Sequence, residues 1–183
     1  MARVLIPLAD GCEELEAVTL IDLLRRAGLE VVVAGLTSRG AQGAHGIGIA
    51  ADTTLEAVAM AEFDLVVLPG GEPGATALCA DARVIALLKR HAAAGKLVAA
   101  ICAAPKALAA AGLLDGRRAT SYPGYLDAHP APGMRYLEQP VVVDGRIVTS
   151  RGPGTAMDFA LTLIEQLLGR AARAKVEAPL LRP

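Results

Sequence analysis

Apolar runs alternate with amphipathic segments along the whole chain. Short, nearly continuous apolar runs predict buried strands, and apolar residues spaced three to four positions apart predict helices. The predicted strands are Arg3–Ala9, Leu29–Leu36, Ile47–Ala51, Asp64–Leu68, Leu97–Ile101 and Arg117–Ser121, with a hairpin over Val141–Thr149. The predicted helices are Glu13–Ala27, Leu55–Met60, Asp81–Ala94, a segment that ends near Ala111, Pro153–Leu168 and Arg170–Val176, and Thr37–Gly43 is predicted to be a loop.

This alternation is typical of a mostly parallel sheet covered by helices on both faces. It predicts one doubly wound α/β domain over residues 1–183, without an internal repeat or linker. In such folds ligands bind beyond the carboxyl ends of the strands. Acidic residues after Ala9, the turn Pro69-Gly70-Gly71 and Cys102 all follow predicted strands. We therefore expect them to meet in one crevice.

Composition and charge exclude several classes of protein. Hydrophobic residues make up 54% of the chain but aromatic residues only 3%, so we expect a core of Ala, Val, Leu and Ile. A net charge of −1 gives no electrostatic case for nucleic acid or an anionic membrane, and no apolar window reaches the length of a membrane span. Three widely spaced cysteines (Cys12, Cys79 and Cys102) form neither a disulfide framework nor a zinc pattern, which favours a reducing, cytoplasmic setting.

Cys102 is the strongest candidate for a chemical role. It follows the apolar run Leu97–Ile101 and precedes small residues that favour a helix, as in a nucleophile elbow. Unpaired N–H groups and the helix dipole favour negative charge at a helix start, so we expect a lowered thiol pKa and a reactive thiolate. A buried cysteine with a structural role is the alternative, and the local pattern does not decide between the two.

Glu16 is the second candidate. It shares an apolar stripe of the first predicted helix with Leu20, Leu23 and Ala27. Burial would raise the pKa of its carboxyl, which could then donate a hydrogen bond to a thiolate or act as a general acid or base. The alternative is the ordinary preference for acids at a helix start, which we expect to explain Glu13 and Glu14 as solvated side chains.

Two glycine-containing turns complete the candidate site. Gly70 and Gly71 permit close backbone approach, and the N–H groups of Gly71 and Ala103 could form an oxyanion hole beside Cys102. The segment Ser150–Thr155 joins a strand to a helix, and its Arg151 is explained equally by capping, by anion binding or by contact with a neighbouring subunit.

The three histidines give no clear partner for Cys102. His91 falls within a predicted helix and is expected at the surface, and His129 precedes a proline in a loop. His45 follows a glycine-containing loop. The sequence therefore does not support a Cys–His nucleophilic pair.

Taken together, these motifs resemble the DJ-1/PfpI (ThiJ/PfpI) superfamily, and its DJ-1/YajL/ThiJ branch in particular. The resemblance covers nearly the whole chain in collinear order. It rests on Gly11–Glu16, Arg25–Gly28, Val66–Gly71, Ala99–Pro105, Thr149–Thr155 and the tail Lys175–Leu180.

The resemblance implies a flavodoxin-like three-layer α/β sandwich and a homodimer. It also implies that Cys102 is an oxidation-prone nucleophile, that Glu16 hydrogen-bonds to it, and that Gly71 and Ala103 are the backbone donors. Gly70, Tyr122 and His45 would line the site, and Arg151, Gly152 and Pro153 would approach the active site of the partner subunit. No metal or other cofactor is implied.

The resemblance implies several possible activities. These are a glyoxalase that needs neither metal nor glutathione, a deglycase acting on dicarbonyl adducts, and a redox-regulated chaperone for misfolded client proteins. An older label ties the branch to thiamine biosynthesis. Tyr122 stands where animal members carry histidine, which argues against a Cys–His peptidase of the PfpI type and predicts slow turnover. His45 stands near a position where relatives often carry arginine.

Overall fold

The computed structural model describes residues 1–182 and contains a seven-stranded sheet between two layers of helices. The strands are β1 Arg3–Leu8, β2 Glu30–Gly35, β3 Gly40–Gln42, β4 Gly48–Ala50, β5 Thr53–Thr54, β6 Leu65–Leu68, β7 Leu97–Ile101, β8 Arg118–Ala119, β9 Arg135–Tyr136, β10 Val141–Asp144 and β11 Ile147–Ser150. The helices are α1 Glu14–Arg26, α2 Leu55–Val58, α3 Gly74–Ala80, α4 Ala82–Ala93, α5 Pro105–Ala110, α6 Tyr125–Ala128, α7 Ala156–Leu168 and α8 Arg170–Glu177.

The strand order of the central sheet is β10-β11-β7-β6-β1-β2-β5. All neighbouring strands are parallel except β10, which pairs antiparallel with β11 and closes the predicted hairpin. Because β6 lies between β1 and β7, the carboxyl ends of these three strands are adjacent at one edge. The segments that follow them are therefore brought together, as a doubly wound fold requires.

Helices cover both faces of the sheet. On one face α7 packs against both α1 and α8. On the other face α3, α4 and α5 pack against one another. This arrangement confirms the predicted flavodoxin-like three-layer fold.

The core consists mainly of small and aliphatic side chains, as the composition predicts. Strands β6 and β7 are buried along their whole length, which explains their continuous apolar sequences. Both phenylalanines, Phe63 and Phe159, are also fully enclosed. Among the described residues, no helix is long and apolar enough to cross a membrane.

Several sequence-based boundaries were wrong. The predicted loop Thr37–Gly43 contains strand β3, which forms a small antiparallel pair with β4 outside the main sheet. Its glycine-rich sequence lacks the alternation that identifies a half-buried strand. Helix α3 was missed because it follows Pro73 and begins at Gly74, which are both typical of turns. The predicted helix from Pro153 begins as a short 3-10 turn, and the α-helix proper starts at Ala156.

His91 is buried rather than exposed, contrary to the expectation from sequence. Its Nδ1 atom lies 3.0 Å from the carbonyl oxygen of Leu87, and its ring stacks on Phe63 with centroids 6.3 Å apart. Burial lowers the pKa of His91, and the nearby charges of Arg90 and Lys96 lower it further. The residue is thus a neutral member of the core at the end of the sheet opposite Cys102.

Candidate active site

Cys102 occupies a sharp turn between β7 and α5. Its φ angle of +64° lies in the left-handed region, which is uncommon for a residue other than glycine. Two hydrogen bonds hold its backbone there: its N–H donates to the Ser150 carbonyl (3.0 Å), and its carbonyl accepts from the Tyr122 N–H (2.9 Å). This is the geometry of the predicted nucleophile elbow, and strained backbone of this kind is concentrated at functional sites.

The Glu16 carboxyl lies against Cys102 in the interior. Glu16 is fully buried on α1, as its place on an apolar stripe predicts. One carboxyl oxygen, Oε2, accepts a hydrogen bond from the Gly70 N–H at 2.8 Å. The other oxygen, Oε1, is buried and has no hydrogen-bond partner among the described residues.

Burial raises the pKa of Glu16 to about 7, although hydrogen bonds from Gly70 and with Cys102 act to lower it. Burial, together with the charge of Glu16 and the hydrogen bond to it, raises the pKa of Cys102 to about 12. The predicted lowering of the thiol pKa was therefore wrong. The prediction considered only the N–H groups and the dipole at the helix start. In the structure the thiol is also enclosed beside a carboxyl, and two adjacent negative charges are unfavourable. The pair holds one negative charge above about pH 7.

Backbone N–H groups oppose the effect of burial on Cys102. Hydrogen bonds from Gly71 and Ala103 act to lower the thiol pKa. Gly71 has a φ of +86°, and a side chain there would collide with the backbone of Cys12 and Glu13. A glycine is therefore required for this N–H to point at the sulfur. These N–H groups would stabilise a thiolate when one forms, but burial and Glu16 outweigh them, so the first negative charge of the pair lies on the carboxyl.

A pocket beside Cys102 is lined by two segments that both hydrogen-bond to its backbone. Tyr122 comes from one segment, and Arg151, Gly152 and Pro153 come from the other. Gly152 allows the close approach of the two walls, because a Cβ at this position would lie 3.3 Å from Cδ2 of Tyr122. The structure thus brings Cys102, Glu16, Gly70, Gly71, Ala103 and Tyr122 together, with Arg151, Gly152 and Pro153 beside them.

His45 lies with two acidic residues rather than against Cys102. Its Nδ1 is 2.9 Å from Glu14 Oε2 and 3.7 Å from Glu13 Oε2. Its imidazole shares an apolar pocket with Leu15, Val18 and Ile47, whereas the sequence placed it at the lining of the Cys102 site.

Glu14 is buried, which corrects the expectation of a solvated acid. Although burial acts to raise its pKa, hydrogen bonds from the His45 ring and from the N–H groups of His45 and Ile47 lower it to about 2. The ligand atoms of Glu13, Glu14 and His45 lie within 4.8 Å of one another, which is a spacing that a metal ion could use. Both oxygens of Glu14 are already engaged in the hydrogen bonds of the turn at residues 43–47.

Sequence reasoning missed a polar cluster that lies behind the Cys102 loop. Lys106, one turn after Cys102, is 5% exposed and pairs with Glu72. Its ammonium also donates to Thr76 Oγ1 at 2.7 Å and lies 5.1 Å from the centre of the Tyr125 ring. A lysine surrounded by small apolar residues in a predicted helix was the available signal, because such a residue needs a partner if it is buried.

Comparison with known proteins gives the family. A model of the DJ-1/PfpI family matches residues 2–166. The protein DJ-1 homolog A of Arabidopsis thaliana is 47% identical over 97% of the chain, which spans 46% of that relative's length. The glutathione-independent glyoxalase DJR-1.2 of Caenorhabditis elegans is 38% identical over 92% of the chain and 89% of the relative.

A solved structure of oxidized DJ-1 from Toxoplasma gondii superposes with a TM-score of 0.94. It is 45% identical in sequence and covers 99% of this chain and 98% of its own. The chain belongs to the DJ-1/PfpI family, as the motifs around Glu16, Gly71 and Cys102 indicated.

Proposed function

We propose that this protein is a cysteine-dependent enzyme that acts on reactive dicarbonyls, as a glutathione-independent glyoxalase or a protein deglycase. The observation that carries the proposal is the buried Glu16 carboxyl beside Cys102 at a strained turn. An enclosed acid with a pKa near neutrality can both accept and return a proton during one reaction cycle.

The first step is attack of the Cys102 sulfur on the aldehyde carbon of a dicarbonyl such as methylglyoxal. A carbon–sulfur bond forms as ionised Glu16 takes the thiol proton, the carbonyl electron pair moves to oxygen, and Glu16 returns that proton to the oxygen to give a hemithioacetal. The N–H groups of Gly71 and Ala103, which already point toward the sulfur, would stabilise the oxyanion.

Glu16 then moves a proton between the two substrate carbons. It removes the hydrogen of the former aldehyde carbon and delivers a proton to the neighbouring carbon, which converts the adduct into a thioester of a 2-hydroxy acid. Water cleaves the carbon–sulfur bond and releases the hydroxy acid, which is lactate when the substrate is methylglyoxal. Atoms balance with one water consumed, and no external oxidant or reductant is needed.

The comparisons support this chemistry at the level of the family. The relative from C. elegans bears the name of a glyoxalase that is independent of glutathione. Deglycation would use the same attack on a dicarbonyl-derived adduct of a protein, and the open pocket beside Tyr122 leaves one side of the site accessible to a larger substrate.

We also propose that the protein acts as a homodimer. The support is an exposed apolar patch formed by Leu15, Val18 and Ile47, three large side chains that are each about half exposed. Exposed apolar surface of this kind is typical of an interface. The segment Arg151–Pro153 lines the pocket beside Cys102 of its own chain and is not part of this patch.

The test is lactate production from methylglyoxal without glutathione by wild type, Cys102→Ser, Glu16→Gln and Cys79→Ser. We expect both site variants to lose at least about a hundredfold in kcat/KM, with Cys79→Ser, the matched thiol control, close to wild type. Lactate formation that survives Cys102→Ser would refute the mechanism.

A redox sensor and chaperone is the second candidate, and the related T. gondii structure of an oxidized protein favours it. Glu16 and the N–H groups of Gly71 and Ala103, which hydrogen-bond to Cys102, would also hydrogen-bond to the oxygens of a sulfinate. Peroxide treatment followed by peptide mass analysis should then add two oxygens to Cys102. Oxidation confined to Cys12 or Cys79 would remove the basis of this role.

A Cys–His peptidase is not supported. In the described part of the chain, His91 lies at the far end of the sheet, His129 bonds to the Tyr125 carbonyl, and His45 bonds to Glu14. None of these hydrogen bonds places an imidazole against Cys102.

A further inference from the structure

The aromatic side chains of this protein are unevenly distributed. The chain has two phenylalanines, three tyrosines and no tryptophan. Both phenylalanines are buried in the core. All three tyrosines lie around one segment next to Cys102: Tyr122 and Tyr125 belong to it, and the Tyr136 hydroxyl donates to the Ser121 carbonyl at 3.2 Å.

Tyr122 presents an open ring surface at this segment. The residue is 49% exposed and lines the pocket with Pro123, Gly152 and Pro153, and Arg151 and Thr155 also contribute. Its N–H donates to the carbonyl of Cys102, which fixes the backbone of Tyr122 next to the nucleophile. A half-exposed ring at the side of a pocket offers a face on which a planar group can stack.

Tyr125 supports this ring from behind. The two rings meet edge to face with centroids 6.2 Å apart. Tyr125 is in turn held by the Lys106 ammonium, which lies 5.1 Å from its ring centre and is itself fixed by Glu72. Fixing both rings lowers the entropy that a ligand must offset when it stacks on Tyr122.

We propose that Tyr122, supported by Tyr125, makes the Cys102 site selective for dicarbonyls with a planar aromatic substituent over those with a small aliphatic one. Phenylglyoxal represents the first class and methylglyoxal the second. Tyr122 contacts the substituent, whereas Tyr125 and Lys106 are positioning residues. This inference rests on the proposed function and specifies its substrate class.

The test is the ratio of kcat/KM for phenylglyoxal to that for methylglyoxal. We expect Tyr122→Leu to lower this ratio about tenfold, because leucine keeps an apolar side chain but lacks the aromatic face. Tyr122→Phe should keep the ratio within about twofold of wild type, and Tyr125→Leu should lower it about threefold through its contact with Tyr122. Met60→Ala, an exposed residue on the loop that precedes β6, is the control.

A second measurement does not depend on turnover. Phenylglyoxylate and pyruvate differ only in the phenyl or methyl substituent, and each can protect Cys102 from alkylation by iodoacetamide. We expect phenylglyoxylate to protect wild type at a concentration about tenfold lower than pyruvate, and Tyr122→Leu to remove this difference.

The outcomes separate the two proposals. If neither dicarbonyl is converted, or Cys102→Ser remains active, the proposed function fails, and the protection experiment still decides the selectivity. If both are converted but Tyr122→Leu leaves the ratio and the protection unchanged, the inference about Tyr122 fails and the proposed function stands.

Discussion

Residue 70 and Cys102 approach so closely that only glycine fits at position 70. A Cβ atom there would lie 2.6 Å from the Cβ of Cys102 and 2.8 Å from Glu16 Oε2. The Gly70 N–H also holds the Glu16 carboxyl in place. One backbone position therefore sets the spacing between the proposed nucleophile and the proposed acid.

Gly70→Ala should disturb the site and the core together. The added methyl group must displace either the thiol or the carboxyl, and overpacking of this kind costs about 1–3 kcal/mol of unfolding free energy. Urea unfolding and the rate of Cys102 alkylation report the two effects. Gly48→Ala is the matched control, because only the end of the Gln42 side chain lies near its Cβ position. A Gly70→Ala variant with normal stability and alkylation would contradict the close approach.

Glu16→Gln should lower the pH at which Cys102 becomes reactive. In wild type Glu16 loses its proton near pH 7, and its charge and hydrogen bond then help to raise the pKa of the thiol to about 12. Glutamine carries no charge, so burial becomes the main influence that still raises the thiol pKa.

The measurement is the rate of iodoacetamide alkylation of Cys102 between pH 5 and 10, followed by peptide mass analysis. We expect the wild-type rate to be still rising at the upper end of this range, and the Glu16→Gln profile to lie at lower pH by at least about one unit. Asp22→Asn, a change on the exposed side of α1, should leave the profile unchanged. A Glu16→Gln profile at the same or higher pH would show that the Glu16 charge does not hold the proton on the thiol.

The two partners of the Lys106–Glu72 pair should have unequal effects on stability. The Lys106 side chain is 6% exposed, whereas that of Glu72 is 33% exposed. Glu72→Ala leaves an enclosed ammonium with Thr76 as a remaining acceptor, and we expect a loss of about 3 kcal/mol. Lys106→Met leaves a carboxylate that water can reach, and its cost should be about 1 kcal/mol or less.

A double-mutant cycle checks this asymmetry by urea unfolding. The Glu72→Ala, Lys106→Met double variant should be more stable than Glu72→Ala alone, because methionine fills the space without a charge. The prediction fails if Lys106→Met lowers the unfolding free energy more than Glu72→Ala does. That result would mean that water can reach the Lys106 ammonium when its partner is removed.

Glu14 should make the fold sensitive to acid. Its pKa of about 2 in the folded protein lies below its usual value of 4.5, so its contribution to stability is present above pH 4.5 and is lost as the pH falls toward 2. Urea unfolding at pH 5.5 and pH 3 should show a smaller loss of unfolding free energy in Glu14→Gln than in wild type. Equal losses in both proteins would show that the hydrogen bonds from His45 and Ile47 do not hold the charged form.

The fold was largely predictable because its strands carry strong local signals. Leu97–Ile101 was predicted with its correct bounds, since a fully buried strand reads as a continuous apolar run. Strands β5 and β9 are two residues long and pair with segments that are not adjacent in sequence, so no local pattern marks them. Helix α3 was not predicted because its local sequence is misleading: its first residues are typical of turns.

A site residue could be predicted where its type stands out against the helical period of apolar positions. Residues whose neighbours in the structure are distant in sequence could not be predicted. Glu16 was identified because it interrupts an apolar stripe on α1. Glu14 and His91 were misplaced because their environments come from segments more than 25 residues away, around His45 and Phe63. Tyr125 and Lys106 were missed in the same way, because only the folded chain brings them to the Cys102 loop.

The concentration of tyrosines gives the protein a natural optical reporter. Because tryptophan is absent and phenylalanine emits only weakly, the intrinsic ultraviolet fluorescence comes almost entirely from tyrosine, and all three tyrosines surround the 121–125 segment beside Cys102. A ligand that enters the pocket, or an oxidant that alters the sulfur, therefore changes the emission of the whole molecule. Events at one small site can be followed in the unlabelled protein.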